Sequence, residues 1–391
     1  MRLSSIPAFC LVLFFLVISS CKSKQQTQED TSNTTREDSS LNQSNPDLPT
    51  WKEPNFVKTD INPIMGPDSS YTFYCPVKKA NVQWQKADVF NPAAIVKDGK
   101  VHLLFRAEDD PHAILGGRTS RIGLAVSEDG INFTRRDKPV LYPDNDGFLE
   151  FDFPGGCEDP RVVEAEGIGY VMCYTAWNGK VARLSIAHSP DLIKWTKKGP
   201  AFLNAYNSKY RDTWSKSGSI ITEYRNGKQY AKKIDGKYWM YWGEHFINLA
   251  WSEDMANWTP LENEDGTLKR LVEIRKGMFD SDLTECGPPA VLTDKGIVLL
   301  YNGKNANDDR AATDLPKGMY SVGQIIFDPN DPGKVLQRSD KPFLQPSLPH
   351  EITGQYKAGT TFAEGLIFFK NKWWLYYGTA DSFVGLAVME N

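Results

Sequence analysis

Gly123-Leu124-Ala125-Val126-Ser127-Glu128-Asp129, followed by Phe133, decides the fold, because it returns along the chain at near-constant spacing. Leu184-Ser185-Ile186-Ala187-His188-Ser189-Pro190-Asp191 with Trp195 is a second copy, and Leu249-Ala250-Trp251-Ser252-Glu253-Asp254 with Trp258 is a third. Gly323-Gln324-Ile325-Ile326-Phe327-Asp328-Pro329 and Gly385-Leu386-Ala387-Val388 are degraded fourth and fifth copies. With Ser127, Ser189, Ser252, Phe327 and Met389 taken as equivalent, successive copies lie 62, 63, 75 and 62 residues apart. Such a period marks stacked or radial units rather than one continuous sheet. The Ser-x-Asp of the first three copies reads as turn chemistry, since three catalytic copies would be redundant.

Each copy is preceded by a short apolar and aromatic run entered through a polar turn: 94–107, 162–176, 232–244, 290–303 and 365–378. Asp98-Gly99, Asp235-Gly236 and Lys370-Asn371 stand where two-residue hairpin turns belong, between flanks rich in Val, Ile, Tyr and Trp. These are strands. Five units of about four short antiparallel strands predict an all-β fold, a five-bladed β-propeller, in which radial closure leaves no long exposed edge. The chain stops just after the fifth copy, so the last blade is expected to be completed by the N-terminal segment around Tyr71 to Val89.

With 391 residues, 40% of them hydrophobic, the chain can bury a large core, and a net charge of −4 carries no polyanion-binding signature, which excludes nucleic acid as a partner class. Most of the 11 Trp and 16 Tyr read as packing, although aromatic faces also suit sugar rings. Arg2 and the apolar stretch Ile6 to Ile18 read as a secretion signal, too short for a mature spanning helix. Ile18-Ser19-Ser20-Cys21 resembles a bacterial lipobox. The expected organisation is a lipoprotein signal peptide over 1–20, a disordered tether over 21–50 beginning at lipidated Cys21, and a catalytic propeller over 51–391. The expected location is the bacterial cell envelope, with the membrane contacted through the lipid anchor only. Cys75, Cys157, Cys173 and Cys286 lack metal-type spacing, and no metal or cofactor is expected. Disulfides and buried free thiols both remain open for them.

Function on a propeller sits at one end of the central funnel, where inner strands and their turns converge. Internal repeats allow equivalent positions to be read against one another. The inner strands begin at Asn91-Pro92-Ala93, Cys157-Glu158-Asp159-Pro160-Arg161, Lys216-Ser217-Gly218, Thr284-Glu285-Cys286-Gly287 and Phe362-Ala363-Glu364-Gly365. The strands that follow end at Phe105-Arg106-Ala107-Glu108-Asp109, Tyr174-Thr175-Ala176, Trp242-Gly243-Glu244-His245, Tyr301-Asn302-Gly303 and Gly378-Thr379-Ala380-Asp381. Superposed units would ring one mouth with Arg106, Asp109, Asp159, Arg161, Glu244, His245, Glu285, Asn302, Glu364 and Asp381. A carboxylate-rich ring beside aromatic side chains suits cleavage of a sugar acetal, where one acid protonates the leaving oxygen and one base or nucleophile attacks. Turn capping by Asp159, an internal ion pair of Arg161, solvated strand ends at Glu244 and Glu364 and a structural His245 are the alternatives. Glu285 resists that reading, because the turn that holds it is constricted.

The succession Phe105-Arg106-Ala107-Glu108, Gly117-Arg118-Thr119-Ser120-Arg121-Ile122-Gly123, Glu158-Asp159-Pro160-Arg161, Lys216-Ser217-Gly218 and Gly287-Pro288-Pro289 resembles glycoside hydrolase family 130. The resemblance spans roughly Asn91 to Val388. It implies a five-bladed propeller acting on β-mannosides, either as an inverting phosphorylase or as a hydrolase of β-1,2-linked mannosides. In phosphorylases of the family the aspartate at the position of Asp159 is the proposed proton donor, and a basic cluster holds phosphate. Two departures stand out: Glu285 replaces a glycine of the phosphorylase pattern Ile-Gly-x-Gly-x-Pro-Pro, and Asn302 replaces the histidine of Tyr-His-Gly. Both changes disfavour a phosphate dianion, and the glutamate supplies a base for water. The resemblance therefore implies inverting hydrolysis of β-1,2-mannosides by Glu244 as acid and Glu285 as base, with Asp159 holding sugar hydroxyls; position alone adds Arg106, Arg161, Asn91 and Asp381 as further ligands. A phosphorylase using Arg118, Arg121, Lys180, Lys216 or Arg275 for phosphate is the enzymatic alternative. A non-catalytic glycan-binding surface lipoprotein is the alternative from another class.

Overall fold

The computed structural model describes residues 49–113 and 117–390, which lie in one compact unit, Ser44–Asn391. The expected signal peptide, the expected lipidation site Cys21 and nearly all of the expected tether lie outside the described residues. The fold is all-β. Among the described residues the helical elements are one α-helical turn, Leu149–Asp152, and a 3-10 turn, Pro349–Glu351.

Among the described residues most of the strands pair in five antiparallel groups. The first is Asp88–Lys97, Lys100–Glu108, Ser120–Ser127 and Thr134–Arg135. The second is Gly156–Ala165, Gly169–Trp177, Ala182–Ser189 and Thr196–Pro200. Ser219–Arg225, Lys237–Trp242, Ile247–Ser252 and Thr259–Pro260 make the third. In the fourth, Leu283–Cys286 and Ala290–Thr293 both pair with Gly296–Lys304, which pairs with Tyr320–Phe327 and through it Val335–Arg338. The fifth holds Thr361–Phe369, Lys372–Thr379 and Phe383–Glu390.

The expected hairpin turns are present. Lys97 pairs with Lys100, Ile234 with Lys237 and Phe369 with Lys372, and both turn residues have positive φ in each: Asp98 and Gly99, Asp235 and Gly236, Lys370 and Asn371. Two consecutive left-handed residues match the right-handed twist of the strands they join. The Ser-x-Asp motifs are turns too. Ser252 Oγ accepts from the amides of Asp254 and Met255, and Asp254 Oδ1 from those of Ala256 and Asn257. Ser127/Asp129 and Ser189/Asp191 repeat this pattern.

The segment that completes the fifth group differs from expectation. Val57–Lys58 pairs with Val388 and Ala387, while Thr72–Cys75 and Ala80–Gln83 form a separate hairpin whose Phe73, with Trp84, packs into the first group's core. A two-residue strand has no periodicity to read, whereas the Tyr71–Gln83 stretch has aromatic and turn signals that look like an edge strand.

Side chains alternate along each strand, so each group feeds two cores. Leu103 and Phe105 point to a cluster shared with Trp374, Tyr376 and Leu386 of the fifth group, and Leu104 to one shared with Val162, Met172 and Tyr174 of the second. Further cores join the second group to the third, the third to the fourth and the fourth to the fifth. Most aromatic residues are spent here: Tyr241 stacks on Phe327 between the third and fourth groups, with centroids 4.3 Å apart.

The glycine of the repeat has a packing reason. Phe105 lies opposite Gly123, Tyr301 opposite Gly323 and Tyr377 opposite Gly385, and each ring folds over its glycine. A Cβ on Gly123 would stand 2.3 Å from the Phe105 ring, which Trp84 stacks against at 6.1 Å, so the ring has no room to retreat. Gly123→Ala should lower stability by about 1–3 kcal/mol through overpacking. The check is the urea midpoint at unchanged m-value.

Candidate active site

Three inner strands carry, within or just before their first pairings, a residue in the left-handed region: Asn91 (φ 48°) in Asp88–Lys97, Asp159 (φ 49°) in Gly156–Ala165, and Ser217 (φ 56°) two residues before Ser219–Arg225. At Asn91 and Asp159 the strand register also slips in a β-bulge, as it does beside Glu364. A bulge re-aims a side chain that the pleat would otherwise turn into a core. Non-glycine residues adopt this conformation at a cost, and such strain gathers at functional sites.

The re-aimed side chains meet around Arg106. Its Nη1 donates to Asp159 Oδ1 at 3.0 Å, its Nη2 to Glu108 Oε1 at 2.7 Å and Glu158 Oε1 at 2.9 Å, and its Nε to Ser120 Oγ at 3.1 Å. Asn91 Nδ2 donates to the same Asp159 oxygen at 2.9 Å, and Lys216 Nζ stands 3.7 Å from the other. Burial alone would raise the Asp159 carboxyl, but the charges of Arg106, Lys216 and Arg161 hold it well below the usual carboxylate range. Burial pushes Glu158 up to about 7 against the pull of Arg106, with the Asp159 charge adding to the rise. Burial likewise raises Asp381 to about 7, and Asp381 feels Arg106, Asp159 and Lys216.

Lys216 links this cluster to the glutamate pair. Its ammonium is 3.9 Å from Glu244 Oε1, and its charge acts on Glu285 as well. Ser217 Oγ donates to Glu285 Oε1, and Trp214 Nε1 donates to Glu244 Oε2 at 2.6 Å. Glu285 is buried and Glu244 is half-buried. Burial is the largest influence on Glu285 and, with the nearby Glu244 charge, raises its carboxyl to about 7 despite Lys216. A cleft of about 980 Å³ meets the site at Glu244 and runs outward past Trp214, His245 and Phe246.

Asn91, Arg106, Asp159, Glu244, Glu285 and Asp381 thus lie in one charged neighbourhood linked by Arg106 and Lys216. Arg161 is at the site in a structural capacity. Its guanidinium donates to the carbonyls of Asp159, Cys286 and Gly287 at 3.0, 2.9 and 3.1 Å, fixing the turn that carries Glu285. Glu364 is fully buried, 3.0 Å from Arg161 Nη2 without hydrogen-bond alignment, and burial raises its carboxyl far above the usual range. Asn302 is consumed by backbone: its amide donates to Ala363 O and accepts from Ala363 N. Asp109 pairs with Lys78 and Arg121 instead of with the Arg106 cluster. His245 is exposed at the cleft. Among the described residues no group of three potential ligands could hold a metal ion, and the four cysteines are free and buried.

Of the cations considered for phosphate, Lys216 alone stands between the two glutamates. Arg118 is held by Asp88 and Glu108, Arg121 by Asp109 and the Thr119 carbonyl, Arg275 by Asp280 and the Ser339 carbonyl, and Lys180 is exposed. Sequence reasoning missed Trp214, and it missed Tyr320 and Tyr356, whose rings pack edge to face at 5.7 Å. Burial raises Tyr356 to about 12, and it feels Asp381, Lys216 and Glu285. Trp214 stands two residues before Lys216-Ser217-Gly218, a signal that was readable; Tyr356 lies in a connection with no counterpart in other repeats.

The family model described as β-1,4-mannooligosaccharide phosphorylase, glycoside hydrolase family 130, matches residues 52–391. The 1,2-β-oligomannan phosphorylase of Thermoanaerobacter sp. (strain X514) is 34% identical over 317 residues, 80% of this chain and 93% of that protein. The crystal structure of a putative glycosidase from Bacteroides thetaiotaomicron VPI-5482 is 52% identical with a TM-score of 0.84, covering 86% of this chain and 97% of that one. Another solved structure, 51% identical with a TM-score of 0.85 over 88% of this chain and 96% of that one, accompanies the finding that the family of mannoside phosphorylases contains glycoside hydrolases that target β-1,2 mannosidic linkages in Candida mannan.

Removing one partner of a buried ion cluster leaves its counter-charges uncompensated, so Arg106→Met should cost about 3–5 kcal/mol. Without the guanidinium the folded-state pKa of Asp159 rises above its unfolded value, and that of Glu158, already raised, rises further. The penalty should therefore be small below about pH 4 and grow as the pH rises to neutrality. Urea midpoints measured across that range check both statements.

Proposed function

The chain belongs to glycoside hydrolase family 130 and is an enzyme family member acting on mannosides; from that premise we propose that it is an inverting hydrolase releasing mannose from β-1,2-linked mannosides. The five antiparallel groups, with cores between successive groups and a further one joining fifth to first, support a five-bladed propeller with the charged ring at its funnel. The observation that carries the reading is Glu285: a buried carboxylate titrating near 7, anchored by Ser217, facing one lysine and a second glutamate. A phosphate dianion would meet an excess of carboxylates there, whereas water needs a base.

In this reading one mannose unit occupies the ring, its hydroxyls on Asp159, Asn91, Arg106 and Asp381. Glu244, at the cleft through which the rest of the substrate leaves, gives its proton to the glycosidic oxygen as the C1–O bond breaks. Glu285 takes a proton from water as the water oxygen bonds to C1 from the opposite face, and the configuration inverts. Lys216 lies between the two carboxylates and favours a single negative charge on each side of the reaction. The phosphorylase relatives at 30–34% identity support phosphorolysis as the competing outcome. Action in the cell envelope, through a lipid on Cys21, belongs to the same proposal and rests on the 18–21 motif.

Protein lacking residues 1–21, incubated with β-1,2-mannobiose with and without inorganic phosphate, should release mannose at one rate in both buffers. Phosphate dependence with mannose 1-phosphate as product would sink the hydrolase reading, and binding without turnover would leave a glycan-binding protein. Glu244→Gln and Glu285→Gln should each lower kcat by about 10²–10⁴. Because the base works ionised and titrates near 7, kcat/KM should rise with pH through an acid limb near neutrality. Lys216→Met removes a charge that lowers the Glu285 pKa, so the limb should move to higher pH in the variant's profile.

A further inference from the structure

A short strand outside the repeats reaches the charged ring through one ion pair. Val57–Lys58 is fastened to the fifth group by pairing with Val388 and Ala387, and Asn62 adds two hydrogen bonds of 2.8 Å to the backbone of Leu386. From this support Lys58 spends its ammonium donors on one segment: Gln345 O at 2.7 Å, Ser347 Oγ at 3.0 Å and Glu351 Oε2 at 2.6 Å. Glu351 is fully buried. The same Oε2 accepts from the amides of Ser347 and Leu348, and its Oε1 accepts from Tyr377 OH at 2.9 Å. An ion pair withdrawn from water in this way gains little for stability against its desolvation, so its use lies in what it holds in place.

What it holds is the connection 352–360, which lies against the turn that presents Asp381. Gln355 donates from its backbone amide to Ala380 O and from Nε2 to Asp381 O, both at 2.9 Å. Gly354, at φ 95°, brings the backbone so near that a Cβ there would stand 2.8 Å from the same Ala380 oxygen. Ala380 and Asp381 are both left-handed, with φ of 46° and 51°, a conformation that needs support from its surroundings. Next along the connection, Tyr356 packs edge to face on Tyr320 at 5.7 Å, where the charges of Asp381, Lys216 and Glu285 act on it. The influence of Lys58 on the ring therefore runs through Glu351 and this connection.

We propose that Lys58 and Glu351 are positioning residues of the active site: their ion pair holds the connection 352–360 so that Gln355 fixes Asp381 and Tyr356 borders the ring. The inference rests on the reading of the ring as the site of mannoside cleavage. A strand that no repeat supplies thereby governs how firmly the ring holds its sugar.

The test is Lys58→Met, which removes the charge and keeps much of the side chain's length. With β-1,2-mannobiose it should raise KM about tenfold and change kcat less than about threefold, because the groups set loose hold sugar hydroxyls and move no proton. A pair that merely held the fold would lower the active fraction, and with it kcat, at unchanged KM. Lys357 is exposed within the connection, so trypsin cleavage after it in the native protein should quicken about tenfold, with cleavage at other exposed lysines unchanged. An unmoved KM overturns the proposal, and so does cleavage after Lys357 that stays slow or quickens only in step with every other site. Should Lys58→Met fail to fold, Lys58→Met combined with Glu351→Gln removes both charges together and takes the same two readings. KM can be read with water or phosphate as the nucleophile, and the cleavage reading needs no substrate. If no mannoside is turned over, the reading of the ring fails by itself: quickened cleavage after Lys357 still supports the pair's hold on the connection, and unquickened cleavage overturns it.

Discussion

One guanidinium holds the site together. Arg106 is buried and shared by Asp159, Glu108 and Glu158, which come from two strand groups, while Asn91 and Lys216 supply the remaining contacts to Asp159. Charges of this density could not leave water without mutual compensation, since an isolated buried carboxylate would take up a proton instead. The arrangement keeps Asp159 ionised while Glu158, close by, is driven toward the neutral form. Two carboxyls in one cluster with opposite tendencies are what recognition of hydroxyl groups needs, because one accepts hydrogen bonds and the other can donate. The strand ends have to converge for this to happen, and the cores between successive groups are what bring them together.

Arg161 has a comparable charge but a different task. All of its hydrogen bonds go to backbone carbonyls, at Asp159, Cys286 and Gly287, and it thereby locks the second group to the turn that presents Glu285. Ser219 continues the same seam, donating to the carbonyls of Gly287 and Pro288. Asn302 fastens the fourth group to the fifth through Ala363. Around the reacting groups there is thus a belt of polar side chains that bind only protein. Such a belt holds the turn that carries Glu285 in place, which the proposed single-displacement reaction would require of its base.

Much of this was legible from repeats. Glycine beneath an aromatic ring, Asp-Gly turns and Ser-x-Asp caps are local devices, each dictated by two to four neighbouring residues, and they recur where the spacing puts them. Proximity was legible as well, because superposing repeats places Asp159 and Glu285 at strand entries and Arg106, Glu244 and Asp381 at strand exits that face one mouth. Occupancy was not: nothing in the letters tells that Arg161 and Asn302 are consumed by backbone groups or that Asp109 turns to Lys78 and Arg121, since those partners lie far off in sequence. Tyr356, on a connection unique to one repeat, escaped for the opposite reason, having no equivalent to be compared with. Val57–Lys58 escaped because a strand of two residues has no pattern.

The left-handed residues at Asn91, Asp159 and Ser217 show how repetition and chemistry coexist. A β-branched or bulky side chain would resist this conformation, but Asn and Asp tolerate it through short polar side chains, and Ser is small. The backbone device is therefore the same at three strand starts, while the side chain it aims differs: an amide that holds Asp159, the carboxylate itself, and a hydroxyl that holds Glu285. Replacing the aimed group changes the chemistry without rebuilding the strand. Glu285 fits that logic from the neighbouring group, since the turn that carries it is braced by Arg161 from outside rather than by its own side chain. A carboxylate can then occupy a position that a glycine could fill, and its charge is balanced by Lys216 rather than by any change in the fold.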